Sequence, residues 1–370
     1  MSENCYVLAG GGTGGHLYPG LAVAEALRKV DSAARLLFLT TTRELDRQVL
    51  GPAGYEQVPQ PVRPLTLHPL RIPGFLSAWR KSVALAREVL GRHRVRAVLG
   101  LGGYAAGPAV VAASRMKIRS AILNPDAIPG RANRYLARFA SLVVLQWEVS
   151  RHQFPARTQC VALGCPIRAA FEMASADEGR RRFGLDPVRP LLLVTGASQG
   201  ARSVNETLAA VWPAFHRDHP DWQMLHLTGN ADESVVKAAY ANAAAPAQVL
   251  AFTHDMPLAL AAADVVVARA GASTLAELGV LGKPAILLPY PYHRDQHQRR
   301  NAQVLVDAGA AILVEDQRSG GANAPALRAA LEQMVEPEVR ARMAAAAARL
   351  GRPGAAMAVA RWLTADSHLG

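Results

Sequence analysis

Cysteine, aromatic side chains and charge are all scarce in this 370-residue chain, and each scarcity removes a class of protein. Three cysteines, Cys5, Cys160 and Cys165, are too few for a disulfide framework and show no CxxC spacing for zinc, so a reducing cytoplasm fits. Charged residues make up 19% of the chain against 50% hydrophobic, a balance that argues for buried cores and against disorder. No basic lead precedes the opening "MSENCYVLAGGG", which runs straight into a strand pattern, so no secretory signal is expected. The uncharged stretch 97–114 holds four glycines and Pro108, and reads as strand, loop and helix start rather than as a membrane span. No DxD pair is present to hold a divalent ion, and neither metal nor cofactor is expected.

What is abundant is positive charge, and it is unevenly placed. Residues 1–164 carry 21 Lys and Arg against 9 Asp and Glu, whereas 165–370 carry 20 against 20, so the whole net charge of +12 belongs to the first half. A one-sided basic half suits an anionic partner, either nucleic acid, a phospholipid surface or a pyrophosphate substrate, although solubility alone also accounts for such charge. Nucleic acid is the weakest of these, because neither a recognised binding module nor clustered cations with interleaved aromatics is seen.

The length predicts two domains. Short apolar runs at 5–10, 35–40, 97–102, 120–124 and 141–146 alternate with longer amphipathic segments, a pattern of parallel strands with crossover helices. The pattern restarts with strand candidates in 190–201, 222–229, 247–252, 263–272 and 283–291, and the tail reads as helices. Two doubly wound α/β halves are therefore expected: an N-terminal domain over 1–164, a C-terminal domain over 165–351, and a last helix, about 352–368, packed back on the first domain. Each half has a glycine-rich turn between its first strand and first helix, which predicts a ligand in a cleft between them at the carboxyl ends of both sheets.

Gly10, Gly12 and Gly15 satisfy GxGxxG, where glycines let backbone N–H groups and the helix N-terminus approach an anion. A dinucleotide site also needs an acid at the end of the second strand, and here that position reads Thr40, Thr41, Thr42 and Arg43, with the first carboxylate at Glu44. His16 follows the glycines. It is either a solvated polar residue at a helix start or a general base, kept neutral by the positive end of the helix.

These residues carry a resemblance. "GGTGGHLYPGLAVAEAL" (11–27), "GLGGYAAGP" (100–108), "LGCPIR" (163–168), "GASQGARSVNETL" (196–208), "ARAGASTLAELGVLGKPAILLPYP" (268–291) and "DQHQRRNA" (295–302) resemble, in order, the motifs of the MurG family of glycosyltransferases. The resemblance implies a GT-B fold and a metal-independent, inverting transfer of N-acetylglucosamine from UDP-N-acetylglucosamine to lipid I, undecaprenyl-pyrophosphoryl-N-acetylmuramoyl-pentapeptide, in peptidoglycan synthesis. It implies a peripheral protein on the cytoplasmic face of the inner membrane, with cell-wall synthesis or division complexes as partners.

Matched residue by residue, the family places Thr13, Gly14 and Gly15 near the sugar and acceptor, and His16 at the catalytic base. It puts Arg168 on the donor, Ser198 on the diphosphate side, Ala272, Ser273 and Thr274 at a phosphate-facing helix start, and Glu277 on the ribose. His297 and Gln298 match the stretch against the transferred sugar, Thr253 the uracil position where isoleucine is usual, and Gly102, Gly103, Tyr104 and Gly107 the acceptor pyrophosphate.

One departure stands out. Where the family reads HEQN, this chain has Leu123, Asn124, Pro125 and Asp126, with Gly130 and Asn133 anchoring the alignment. Asp126 replaces an asparagine on the donor sugar, and an ionised carboxylate there donates no hydrogen bond and repels a diphosphate; it is either protonated, a second base, or the mark of shifted donor specificity or a silent relative. In 69–87, Ile72, Phe75, Leu76 and Trp79 form an apolar wedge rimmed by Arg71, Arg80 and Lys81. That wedge either enters an anionic membrane surface or packs on the sheet as an ordinary amphipathic helix. An epimerase acting on UDP-N-acetylglucosamine shares the fold but needs no such basic, apolar-edged half.

Overall fold

Runs such as Cys5–Ala9 and Leu191–Thr195 are buried at every position, so both faces of the sheets they form must be covered by helices. A computed structural model describes residues 4–64, 68–196, 200–292 and 295–365. The chain divides into two units, 1–168 with 354–370 and 169–353.

In the first unit the order is β1 (Cys5–Ala9), α1 (Gly14–Val30), β2 (Arg35–Thr40), α2 (Glu44–Leu50), β3 (Glu56–Pro59), α3 (Ile72–Arg92), β4 (Val95–Gly100), α4 (Gly107–Arg115), β5 (Arg119–Asn124), α5 (Arg131–Leu136), β6 (Leu142–Leu145) and β7 (Cys160–Ala162). The seven strands are all parallel, in the order β3-β2-β1-β4-β5-β6-β7. Leu8 of central β1 is aligned with Phe38 on one side and Leu99 on the other.

The second unit runs α6 (Ala169–Met173), α7 (Ala176–Arg182), β8 (Leu191–Thr195), α8 (Arg202–Asp218), β9 (Gln223–Leu227), α9 (Glu233–Asn242), β10 (Gln248–Leu250), α10 (Met256–Ala262), β11 (Val265–Ala268), α11 (Ala272–Leu281), β12 (Ala285–Leu287), α12 (His297–Asp307), β13 (Ala311–Leu313), α13 (Gly320–Gln333) and α14 (Pro337–Leu350). Its six parallel strands are ordered β10-β9-β8-β11-β12-β13. Both sheets are doubly wound, with the order reversing at the first strand of each unit.

Three strands have no counterpart among the sequence-based candidates: β3, β7 and β13. All three lie at sheet edges and span only three or four residues. Edge strands need a single partner and little burial, so β3 reads "EQVP" and leaves no apolar signature.

The last helix, α15 (Ala355–Thr364), belongs to the first unit, where it packs on α1 and β4. Val359, Ala360 and Leu363 are buried in the same cluster as Tyr6, Leu17 and Phe38. Its C-terminal carbonyls are held by the sheet: Arg96 donates to Thr364 O at 3.0 Å and Arg119 to Ala365 O at 2.6 Å, with the Arg119 guanidinium 4.0 Å above the Trp362 ring. Cations at a helix C-terminus satisfy carbonyls that have no intrahelical donor. Leu363→Ala is therefore expected to destabilise the protein by about 2–5 kcal/mol, while Leu70→Ala, at an 87% exposed site, should lie within about 0.5 kcal/mol of wild type in the same denaturation experiment.

Candidate active site

In the first unit the functional groups stand on the loops that follow β1, β2, β4 and β5. Thr13 is the N-cap of α1, in extended conformation, and Gly14 and Gly15 are the first helical residues. The Thr13 hydroxyl lies 3.1 Å from His16 Nδ1. The half-buried His16 ring rests on the loop after β4: an added Cβ on Gly103 would come 2.9 Å from His16 Cε1, and one on Gly102 would come 3.3 Å from Cδ2. Both glycines have positive φ, +103° and +71°, so conformation and space each require glycine there.

Burial holds the imidazole below its ordinary pKa, while the Asp126 charge, a hydrogen bond with the Gly11 backbone and the Asp46 charge pull the other way. The net result is a ring that is neutral, and able to accept a proton, at neutral pH. The 3-10 turn Tyr104–Ala106 follows the same loop, with Tyr104 half-buried.

The loop carrying Asp126 is built on amide side chains. Asn124 donates to Asp126 O at 2.9 Å, and Asn133 donates to Leu123 O at 2.9 Å and to Asn124 Oδ1 at 3.2 Å. Asn124 is therefore spent on holding the loop. Arg168 closes the unit half-buried, its guanidinium 5.8 Å from the centre of the Tyr18 ring.

Gly107, which the resemblance matches to the acceptor, is buried beneath Trp79, whose ring would lie 2.7 Å from an added Cβ, so packing also requires its lack of a side chain. The reading of Trp79 as part of an exposed wedge is corrected here. Trp79 in turn is half-buried against the cluster of Ala106, Val110 and Leu136 and stacks on Phe75 at 6.3 Å, so it is part of the domain's wall rather than a free wedge. The exposed apolar positions of the segment are Leu70, Ile72 and Leu76, beside exposed Arg71, Arg80 and Lys81.

In the second unit, a cavity of about 570 Å³ is lined by Gly196, Gly200, Gly271, Thr274, Tyr290 and Gln298, among others. Ser198 lies outside the described residues. α11 opens into this region with Gly271 as N-cap and no acid in its first turn, so the partial positive charge of its N-terminus faces no carboxylate of that turn. Ala272, Ser273 and Thr274 form that first turn, with Glu277 half-buried one turn on. Gln298 Oε1 accepts from the Tyr290 N–H at 2.9 Å and ties α12 to the loop after β12, while His297 Nδ1 lies 2.9 Å from Asp295 Oδ1. Thr253 Oγ1 accepts from the Asp255 N–H at 3.0 Å at the start of α10, beside Phe252, which is 45% exposed.

The sequence reading missed a buried ion pair under this cavity. Arg269 donates to Asp316 Oδ2 at 2.7 Å, to Leu288 O at 2.9 Å and to Ser203 Oγ at 2.8 Å, and Ser203 donates to Asp316 at 2.6 Å. Burial would raise the Asp316 pKa, but hydrogen bonds from Ser203, Asn323, Arg269 and the Arg318 backbone outweigh it and hold it below the usual carboxylate range. An arginine directly after the apolar run "VVVA" was the available signal. His226 was also missed: it bridges Tyr240 (2.8 Å) and Asn205 (3.0 Å), and burial pushes its pKa down to about 3.

The first unit thus offers a neutral imidazole beside a glycine loop, and the second, described by itself, a cavity at a helix N-terminus with no acid in its first turn. Residues 6–145 match the glycosyltransferase family 28 N-terminal domain and residues 191–359 its C-terminal domain. A protein of Desulforudis audaxviator named UDP-N-acetylglucosamine--N-acetylmuramyl-(pentapeptide) pyrophosphoryl-undecaprenol N-acetylglucosamine transferase is 36% identical over 94% of this chain and 95% of its own. One of the same name from Geobacter sulfurreducens is 37% identical over 98% of both. The crystal structure of Acinetobacter baumannii MurG superposes with a TM-score of 0.76 at 26% identity, covering 97% of this chain and 99% of that one. A UDP-GlcNAc 2-epimerase from Neisseria meningitidis, 15% identical with a TM-score of 0.68 over 97% and 99% of the chains, shares the fold.

The chain is thus a GT-B glycosyltransferase of family 28. Within that class it belongs to the MurG family.

Gly103→Ala places a methyl group against the His16 ring at a left-handed backbone position. It is expected to destabilise the protein by about 1–3 kcal/mol and to displace the His16 imidazole resonances, read by thermal denaturation and by NMR.

Proposed function

We propose that this chain transfers N-acetylglucosamine from UDP-N-acetylglucosamine to lipid I with inversion at the anomeric carbon, producing the lipid II of peptidoglycan synthesis. The observation that carries this reading is the His16 imidazole, desolvated, neutral and laid against Gly102 and Gly103 in a chain of this family. The acceptor hydroxyl gives its proton to His16 as it attacks the anomeric carbon. Charge that develops on the departing UDP meets the N-terminus of α11, where fixed amide dipoles stabilise the transition state more than the ground state.

On this reading the second unit holds the donor. Glu277 takes the ribose hydroxyls, Ser198, Ala272, Ser273 and Thr274 the diphosphate, His297 and Gln298 the sugar, and Thr253 with Phe252 the uracil; Arg168 adds a cation from the first unit. Thr13, Gly14, Gly15, Gly102, Gly103 and Tyr104 face the acceptor. Asp126 acts on the base: its charge is the strongest influence favouring the imidazolium.

No helix among the described residues is long and apolar enough to cross a membrane. Ile72 and Leu76, with Leu70 and the cations Arg71, Arg80 and Lys81, form the surface by which the first unit rests on the cytoplasmic face of an anionic inner membrane, where its lipid-linked acceptor lies.

The test is transfer of labelled N-acetylglucosamine to a short-chain lipid I analogue in detergent. Wild type should transfer, and His16→Ala should lose about 10²–10⁴ in kcat. Because a base must be neutral and burial lowers the His16 pKa, kcat/KM should hold below the ordinary histidine value of about 6.5 and fall only at lower pH. Asp126→Asn should move that acid limb lower still. An inactive wild type that gains activity as Asp126→Asn would instead support a silenced or sugar-shifted relative.

A further inference from the structure

The glycine loop of the first unit already holds an anion, and it is part of the chain. Asp46, on α2, is fully buried, and its carboxylate accepts from the Gly12 N–H at 2.7 Å, the Thr41 N–H at 2.9 Å and the Thr41 hydroxyl at 2.6 Å. Gly11 is backed directly onto it, since an added Cβ would lie 2.3 Å from Asp46 Oδ2. Arg43 grips the other side of the same residue, donating to Gly12 O at 2.9 Å. In dinucleotide-binding folds this loop offers its amides to a bound phosphate. Here the Gly12 amide is committed to a side chain, and both polar groups of Gly12 are clamped from the β2–α2 connection.

This clamp reaches the base. Gly11, wedged against the carboxylate, and Gly12 lead directly into Thr13, whose hydroxyl lies 3.1 Å from His16 Nδ1. The imidazole itself lies against Gly102 and Gly103.

We infer that Asp46 is a positioning residue for the transfer reaction: as a built-in anion at the phosphate position of the first unit, it fixes Gly11 and Gly12 and through them sets the His16 ring against the loop after β4. The inference rests on the reading of His16 as the base. It also assigns the first glycine loop to orientation of the base rather than to holding a nucleotide phosphate.

An ionised carboxylate is the only group of this size that accepts all three of these donors. Asn in its place still accepts the Gly12 N–H through Oδ1, but sets an amide N–H₂ against the Thr41 N–H and hydroxyl, so the clamp opens on the Thr41 side. The charges acting on His16 are Asp126, from the loop after β5, and Asp46.

The experiment compares wild type, Asp46→Asn and the milder Thr41→Val, which removes one donor and leaves the carboxylate. It reads kcat and KM for UDP-N-acetylglucosamine, UDP affinity, and the titration of His16 by NMR in the full-length protein. Asp46→Asn should lower kcat tenfold or more, with KM for the donor and UDP affinity within twofold of wild type, and should shift the His16 resonances and move their titration to lower pH. Thr41→Val should fall between the two in kcat, and it carries the test alone if Asp46→Asn does not fold. A kcat within twofold of wild type, a kcat loss matched by an equal loss of UDP affinity, or an unmoved His16 titration would overturn the inference. Absence of transfer by wild type would refute the assigned reaction, and the His16 titration would still decide whether Asp46 sets the ring.

Discussion

Parallel strand pairing is the constraint from which the rest of this molecule follows. Two parallel neighbours cannot be joined by a tight turn, so each connection crosses the sheet through a helix, and all strands of a unit end on the same side. The loops at those ends carry the candidate site residues. In the first unit Gly11 to His16 follow β1, Thr41 and Asp46 follow β2, Gly102 to Tyr104 follow β4, and Asp126 follows β5. In the second, Thr253 follows β10, Arg269 to Glu277 follow β11, Tyr290 to Gln298 follow β12, and Asp316 follows β13. Residues scattered over 40 or more positions of sequence become neighbours because their strands share a direction and a register.

The two units use this common plan with opposite electrostatics. In the first, the glycine loop is neutralised internally by the Asp46 carboxylate, and the imidazole beside it is desolvated. In the second, the buried carboxylate is Asp316, and its partner is the Arg269 guanidinium beneath the cavity, which leaves the α11 N-terminus without an acid of its own. A buried charge is tolerated only when its hydrogen bonds are complete, and both carboxylates meet that condition with three or more donors each.

Much of the fold was legible because the central strands of doubly wound sheets are apolar on both faces, and their runs stand out against amphipathic helices. The edge strands β3, β7 and β13 were not, since a strand with one neighbour needs no such run. Conformation and space require glycine at Gly102 and Gly103, two positions that the motif reading had singled out. At Gly107 the need for glycine comes from the Trp79 ring packed on it, which no sequence pattern shows. Asp46 and Arg269 escaped because a lone acid in a short helix, or a lone arginine after a strand, looks like surface charge until burial is known.

Local pattern by itself therefore determined the number of doubly wound halves, their central strands, the glycine turns that open α1 and α4, and the family whose motifs the chain carries. Tertiary structure decided what each polar group is for. Burial and hydrogen-bond partners are set by residues far apart in sequence, and they alone distinguish an imidazole kept neutral from one in solvent, a glycine under a tryptophan from a glycine against an imidazole, and a carboxylate that holds a loop from one that decorates a helix.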